Sequence, residues 1–501
     1  MIAGPAKRGN CLSLFATKPL ERILAESQES EHSLRRTLGP GALVALGVGA
    51  VIGAGIFTLA GQVAAQNAGP GIVLSFIIAA IGCGFAAMCY SEFSTMIPIA
   101  GSAYTYAYAT MGEFLAWVIG WDLVLEYAIG AATVSVGWCG HVLDLLRHFG
   151  ITLPEQFTMS PFDTIRHGDV VVHGLINLPA LFIIIVVSLI LARGIKESAM
   201  VNTVIVVLKV SVVVVFILLG WAYINPANHV PLIPPNTGVS GQFGWSGVLR
   251  GAGVIFFAYI GFDAVSTAAQ ETKRPSRDMP IGIIGSLVLC TVLFILYAYV
   301  LTGVVNYHEL NDPHAAPVAQ ALSHMPYPFL SVGMDLAIIA GLTSVMLVML
   351  LGQSRVFYSM SLDGLLPKVF SDIHPKFRTP WKSNLLMMAF VGVFASLVPI
   401  RVLGEMTSIG TLFAFVLVCG GVIVMRRTRP ELHRPFKTPF SPVVPILGIL
   451  WNLWLMESLG VDNWLRLGIW LVIGLAVYFG YSRHHSKLGA SFSQPVAPRN
   501  R

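Results

Sequence analysis

The chain has 501 residues, of which 55% are hydrophobic and only 11% are charged, and its mean hydropathy is +0.74. These values exclude a soluble globular domain and indicate an all-α membrane protein that crosses the bilayer many times. The formal net charge of +6 is not a nucleic-acid footprint, because the basic residues lie in short segments between apolar runs.

The cysteines and histidines give no sign of a disulfide framework, a cofactor or a metal centre. Five of the six cysteines lie in apolar runs, and Cys11 lies in the N-terminal tail. The 13 histidines fall in tails, in loops or at the ends of apolar runs. We therefore expect no bound cofactor and no metal.

Twelve apolar spans follow a polar tail at residues 1–38, and no cleavable signal precedes them. The tail contains a possible surface helix at 18–36. An apolar run of about 20 residues is long enough to cross a bilayer. The predicted span centres are residues 52, 84, 127, 184, 211, 258, 293, 345, 391, 415, 449 and 472.

The distribution of lysine and arginine predicts the orientation of these spans. With the N-terminus in the cytoplasm, 25 of the 31 basic residues fall in cytoplasmic segments. Four fall outside, and Lys209 and Arg250 fall within spans. This asymmetry predicts that both termini are cytoplasmic, and it agrees with an even number of spans.

The first span, residues 41–62, contains four glycines within nine positions: Gly47, Gly49, Gly53 and Gly55. Each glycine costs a helix interior roughly 1 kcal/mol relative to alanine. We expect an interrupted helix near Ile52 to Gly55, whose bare backbone is offered to a polar solute. The alternative is close helix packing through small residues four apart.

A second glycine-rich span at residues 247–269 favours the interrupted-helix interpretation. It contains Gly251, Gly253 and Gly261, and Asp263 lies in mid-span, where it is placed to cap a resumed half-helix. Interrupted helices at spans 1 and 6 predict a five-plus-five inverted repeat with a site at the midplane. The expected units are a tail at 1–38, repeats at 39–224 and 246–426, spans 11 and 12 at 440–482, and a tail at 483–501.

Lys209 lies in span 5, about nine residues from its inner end, which corresponds to roughly 13 Å of depth. Its side chain reaches only about 6 Å, too short to bring the charge to the headgroups. A buried amine usually faces a partner or a cavity. Two functional roles are open: the ammonium replaces a coupling sodium ion, or it loads and releases a proton. A static ion pair or partial snorkelling is the structural alternative.

Other polar residues within the spans have both functional and structural interpretations. Glu126 in span 3 is the main candidate for a proton relay, with Asp122 one turn away, and an interhelical anchor is the alternative. The hydroxyls of Thr343 and Ser344 in span 8 either face Lys209 or bond to their own helix. Phe257 and Tyr259 either close over a ligand or pack in the core.

Four ordered motifs resemble those of the amino acid/polyamine/organocation transporter superfamily, in particular the twelve-span bacterial form of its cationic amino acid transporter branch. They are SLRRTLGPGALVALGVGAVIGAGIF, IPIAGSAYTYAYATMGEFLAWVIGWDLVLEY, FFAYIGFDAVSTAAQETKRPSRDMPIGI and SRVFYSMSLDGLLP. The resemblance runs from about residue 18 to residue 437. It implies alternating access in the bacterial inner membrane, with an amino acid, protons and membrane lipid as partners.

The resemblance also implies roles for individual residues. The amino acid carboxylate would meet backbone N–H groups of Gly53, Ala54 and Gly55, beside Ile52. Its ammonium would meet carbonyls around Phe257, Ala258 and Ile260, beside Tyr259. Lys209 matches a lysine that replaces sodium in proton-coupled members, and Thr343 and Ser344 match the hydroxyls facing it.

The expected substrate is a small neutral amino acid such as alanine. Met346 is predicted to lie near the pocket, and spans 6 and 8 have no deep acid placed to pair with a cationic side chain. Arginine or lysine transport and amino acid exchange are the alternatives. No cluster of acids or histidines supports an enzyme, whereas a non-transporting amino acid sensor would have the same site residues.

Overall fold

The computed structural model describes residues 14, 16–19, 37–97, 102–167, 170–194, 199–311, 316–327 and 329–488. The helix predicted at 18–36 lies outside these residues, except for Lys18 and Pro19.

The described chain is mainly helical. The α-helices are α1 Pro40–Val51, α2 Ala60–Val63, α3 Ile72–Met96, α4 Ser102–Thr110, α5 Glu113–Val124, α6 Gly130–His148, α7 Leu178–Ala192, α8 Ala199–Gly220, α9 Gly244–Ile255, α10 Pro275–Val304, α11 Pro317–Ser323, α12 Phe329–Leu362, α13 Trp381–Leu397, α14 Ile400–Thr428, α15 Val443–Ser458, α16 Val461–Val477 and α17 Arg483–His485. Segments of π-helix are Gly55–Leu59, Ala64–Ala68, Leu125–Ile129 and Tyr478–Ser482. Segments of 3₁₀-helix are Gly69–Gly71, Glu155–Phe157, Trp221–Tyr223, Pro226–His229, Phe256–Tyr259, Asp263–Glu271, Glu309–Asn311 and Lys368–Phe370.

Eight of the helical segments described are long and apolar enough to cross a bilayer, and four shorter apolar helices accompany them. The shorter ones are α1, α7, α13 and α15. The chain is therefore a helical membrane protein, as its composition predicts. The number of twelve crossings and the inverted repeat remain predictions.

A small β-hairpin departs from the all-α prediction. Strands β1 (Thr164–His167) and β2 (Val170–His173) pair antiparallel, with Thr164 opposite His173. They lie in the long segment between α6 and α7. The run Val170–Val172 consists of β-branched residues, which favour strands.

Small residues let the helices that surround the interruptions approach closely. Helix α10 packs along α3 and α1, and α12 packs along α6 and α8. A Cβ placed on Gly47 of α1 would lie 2.6 Å from the Cβ of Ser286 on α10. Such contacts place α1 against α10 at a distance that only glycine permits at this position.

Candidate functional site

The first interrupted helix comprises α1 and the segment that follows it to Ala68. Helix α1 ends at Val51, Ile52 has extended backbone with ψ of 103°, and the π-helix begins at Gly55. The interruption therefore lies within the predicted stretch. It leaves carbonyl groups at the end of α1 and N–H groups at the start of the next segment without partners in their own helix.

The second interrupted helix comprises α9 and the two 3₁₀ segments after it. Helix α9 ends at Ile255, the first 3₁₀ segment ends at Tyr259, and Ile260 is extended with ψ of 133°. Gly261 follows with φ of +115°, a conformation that favours glycine. The backbone becomes helical again at Asp263, where the second 3₁₀ segment begins.

The two interruptions lie against each other. A Cβ on Gly55 would lie 2.5 Å from the Cβ of Ala258 and 2.8 Å from its backbone nitrogen. A Cβ on Gly261 would lie 2.9 Å from the carbonyl carbon of Ala50. Glycine at both positions therefore lets bare backbone from one helix meet bare backbone from the other.

Lys209 of α8 reaches this junction. Its Nζ donates hydrogen bonds to the carbonyl oxygens of Gly49 and Ile52, the latter at 3.1 Å. The residue is 1% exposed. Because the C-terminal end of a helix carries partial negative charge, the ammonium is stabilised by the end of α1.

Gly341 of α12 makes room for the lysine, and sequence reasoning missed it. A Cβ on Gly341 would lie 2.5 Å from both Cγ and Cδ of Lys209. One glycine within a long apolar run carries no sequence signal of this role, because the contact joins residues of different helices.

Thr343 and Ser344 differ in their surroundings. The Thr343 hydroxyl donates to the carbonyl of Ile339 at 2.8 Å and accepts from the indole of Trp138 at 3.1 Å. This is the intrahelical bond that sequence offered as the structural alternative. Ser344 lines the cavity described below.

The carboxyl groups of Glu126 and Asp263 lie near each other in the core without a hydrogen bond between them, an arrangement that the sequence did not predict. Glu126 lies in the π-helix Leu125–Ile129 and is 1% exposed, and Asp263 is 4% exposed. Asp263 is the first residue of the 3₁₀ segment rather than its cap, and its Oδ1 has no hydrogen-bond partner among the described residues. Asp122 is also buried, and neither of its carboxylate oxygens has a hydrogen-bond partner in the described part of the chain.

A cavity of about 510 Å³ extends along α1, and the residues predicted to bind substrate are not among those that line it. Gly49 and Ala50 line it near Lys209, and Leu38 lines it at the other end. The charged side chains in its wall, Glu271 and Arg355, have opposite signs. The remaining described wall is mostly apolar or hydroxyl-bearing.

The residues predicted to bind substrate are all buried, but they are not equivalent. Seven of them lie at the two interruptions: Ile52, Gly53, Ala54, Gly55, Phe257, Ala258 and Ile260. Met346 is fully buried on α12. Tyr259 points elsewhere: its hydroxyl donates to the carbonyl of Phe76 at 3.0 Å, and its ring packs on Phe294. Its contacts are those of a core residue.

An ionic cluster joins helices on the predicted outer side, and its central acid was also missed. Glu405 of α14 accepts from Arg250 at 2.7 Å, from Arg401 at 3.2 Å and from Asn463 at 2.8 Å. Arg466 lies 3.6 Å from the same carboxylate. Arg250 and Arg401 also line a polar cavity of about 490 Å³ near Gln66. Sequence shows charges at span ends but not their pairing across helices.

Two interrupted helices whose bare backbones meet inside a helical membrane protein, with a buried lysine on the carbonyls of one, are typical of secondary transporters. The family model described as "Amino acid permease" matches residues 38–476. The chain belongs to the amino acid permease family, within the amino acid/polyamine/organocation superfamily.

The chain is similar to several curated proteins over almost its whole length and almost the whole of theirs. A methylthioribose transporter of Bacillus subtilis is 43% identical over 95% of this chain and 99% of its own. The branched-chain amino acid permease BcaP of the same organism is 43% identical with the same coverage. A vacuolar cationic amino acid transporter of Arabidopsis thaliana is 34% identical over 97% of this chain and 98% of its own. These relatives carry the names of transporters, not of enzymes.

Proposed function

We propose that the chain takes up small neutral amino acids such as alanine together with protons, by alternating access across the bacterial inner membrane. The observation that carries this proposal is the ammonium of Lys209 on the carbonyls of Gly49 and Ile52. A fixed positive charge here occupies the place that a coupling cation would need. Both termini are inferred to be cytoplasmic, from the distribution of basic residues.

The backbone of the two interruptions would hold the amino acid. The N–H groups of Gly53, Ala54 and Gly55 begin a helical segment and favour the carboxylate. The carbonyls of Phe257, Ala258 and Ile260 follow the end of α9 and favour the ammonium. Because the carbonyl of Phe257 already accepts from the N–H of Ile260 at 3.2 Å, it offers its second lone pair.

The proton would act through the end of α1. While Lys209 is charged, it holds the carbonyls of Gly49 and Ile52, at the end of α1, against α8. Loss of the proton removes the charge that strengthens these bonds, so α1 is freed to move relative to α8. Because α1 lines the cavity of about 510 Å³, its movement would open or close the route to the cytoplasm.

The buried pair of Glu126 and Asp263 is a second element of the proposed coupling. Two carboxylates that lie near each other repel strongly in a low dielectric when both are ionised. A proton shared between them removes the repulsion, and its loss would drive the two helices apart. Asp263 follows the interruption directly, so this movement would reach the substrate site.

The cavity wall favours a neutral side chain. Among the described residues that line the cavity, Glu271 and Arg355 have opposite charges, and Met346 is fully buried on α12. A second candidate is a branched-chain amino acid, because a relative of that name is 43% identical. Arginine and lysine, amino acid exchange and a non-transporting sensor are further alternatives.

Uptake into liposomes that contain the purified full chain tests the proposal. Labelled alanine, leucine, arginine and methylthioribose are compared in sodium-free buffer, with and without an inward proton gradient. The variants are Lys209→Ala and, as a matched control, Lys376→Ala, whose side chain is exposed. We expect gradient-driven alanine uptake that the first variant loses and the second retains.

Each other outcome selects an alternative. Gradient-driven uptake of leucine, arginine or methylthioribose in place of alanine changes the substrate and keeps the mechanism. Uptake that does not depend on the proton gradient but requires amino acid inside the liposomes identifies the protein as an exchanger. Binding of an amino acid without transport of any kind identifies a sensor.

A further inference from the structure

A cluster of histidine and aspartate side chains lies away from the transport site, at the end of α6 that precedes the β-hairpin. His141, Asp144 and His148 are separated by three and four residues, so they share one face of α6. Asp335 of α12 faces them. Helices α6 and α12 pack along each other, and only this packing brings the four residues together.

The geometry holds the buried carboxylate in one orientation. Nδ1 of His141 lies 2.9 Å from Oδ1 of Asp335, and both side chains are 1% exposed. The Ser331 hydroxyl donates to Oδ2 of Asp335 at 3.4 Å. The imidazole of His148 is held at Nδ1 by the carbonyl of Asp144, 2.9 Å away.

The charges of the cluster are incompletely balanced. One carboxylate oxygen of Asp144 lies within 4.8 Å of one of Asp335, and the two groups repel when both are ionised. Oδ2 of Asp144 is buried and has no hydrogen-bond partner among the described residues, and its distance to Nδ1 of His148 is 3.9 Å. Arg147 contributes positive charge from the same helix turn. A divalent cation between the carboxylates would supply what the cluster lacks.

We propose that Asp144, His148 and Asp335 bind a divalent transition-metal cation of the zinc class. One ligand atom from each residue lies within 4.8 Å of the other two. A carboxylate, a second carboxylate and an imidazole are ligands that zinc accepts, with a water in the fourth position. His141 does not contact the ion; it orients Asp335 from behind, as outer-shell partners of metal ligands do.

The exposure of the cluster suits ion binding from outside the protein. The side chains of Asp144 and His148 are 21% and 34% exposed, whereas Asp335 is closed off on the inner side. A bound ion would tie α6 to α12. The proposal departs from the sequence-based expectation of no metal, because Asp335 lies 187 residues after His148 in the sequence and joins the site only through helix packing.

Titration of Zn²⁺ into the purified, chelator-treated full chain, followed by calorimetry, tests the site. We expect one Zn²⁺ per chain whose affinity falls by more than about tenfold in both Asp144→Asn and His148→Gln. His324→Gln is the matched control. His324 pairs with Glu309 at 3.2 Å in another part of the chain, so its replacement should leave the affinity for Zn²⁺ unchanged. Zn²⁺ should also raise the melting temperature of the wild type but not of the first two variants.

Folding and selectivity separate the outcomes. The side chains of Asp144 and His148 are partly exposed, so the melting temperatures of both variants without metal should match that of the wild type. Zn²⁺ binding that both variants retain, that the control variant loses equally, or that is absent in the wild type would overturn the proposal. Calcium binding as tight as zinc binding would also overturn it, because calcium prefers oxygen ligands and gains nothing from His148.

Discussion

The ammonium nitrogen of Lys209 lies 3.1 Å from the carbonyl oxygen of Ile52, the residue directly after the end of α1. A side chain from α8 thus closes the open end of a helix whose own hydrogen-bond ladder has stopped. The contact joins the element that carries the charge to the element that would hold the substrate.

Replacement of Lys209 by methionine should abolish gradient-driven uptake. Methionine fills much of the same volume but cannot donate to Gly49 or Ile52, so about 1.5–3 kcal/mol of charge-assisted bonding is lost for each bond. Uptake driven by a proton gradient should fall by at least about tenfold, measured in liposomes. If the variant responded to the gradient as the wild type does, Lys209 would be only a structural charge.

Gly341→Ala should impair transport although it removes no charged group. The added Cβ would lie 2.5 Å from Cγ and Cδ of Lys209, so the lysine stem must shift. We expect a loss of about 1–3 kcal/mol in unfolding free energy and reduced uptake. Gly333→Ala on the same helix is the control, because a Cβ there meets no atom within 4 Å. Equal behaviour of the two variants would contradict the contact.

Gly55→Ala and Gly53→Ala should differ sharply although they lie two residues apart. A Cβ on Gly55 meets the backbone of Ala258, whereas a Cβ on Gly53 lies 3.6 Å from Val345 in ordinary contact. Backbone cannot give way as a flexible side chain does. The first variant should lose folded yield or transport, measured by size-exclusion chromatography and uptake, and the second should keep its fold.

Glu126→Gln should flatten the dependence of uptake on external pH. The amide preserves the shape but cannot exchange a proton with Asp263, so the wild-type increase in uptake with falling external pH should weaken. Substrate exchange at symmetrical pH should persist, which a purely structural defect would not allow. Asp122→Asn, one turn away and equally buried, serves as the control and should keep the wild-type pH profile.

Glu405→Gln should destabilise the fold. The carboxylate is bonded to Arg250, Arg401 and Asn463, and its removal leaves partly buried arginines without their shared partner. We expect a loss of about 3–5 kcal/mol, measured as a lower thermal-unfolding midpoint. Glu309→Gln removes an exposed pair with His324 and should change stability by less than about 1 kcal/mol. Similar shifts for both variants would argue against the outer cluster.

The sequence by itself determined the environment of the chain and the position of its interruptions. Bilayer thickness demands long apolar runs, and the cost of glycine in a helix marks where such a run breaks. Both rules act locally, so the break near Ile52 and the buried position of Lys209 could be inferred from neighbouring residues. The four motifs identified the superfamily for the same reason, because each is a continuous stretch.

Only the tertiary structure decided which residues meet. Gly341 contacts Lys209 because α12 passes beside α8, and Glu126 lies near Asp263 because the fold brings the π-helix Leu125–Ile129 close to the start of the 3₁₀ segment Asp263–Glu271. Tyr259 turned toward α3 for a similar reason: its hydroxyl finds a carbonyl acceptor there. The cluster around Asp335 likewise joins two helices. Contacts between helices depend on how whole spans pack and rotate, and the hydropathy of one span does not indicate which helix packs against it.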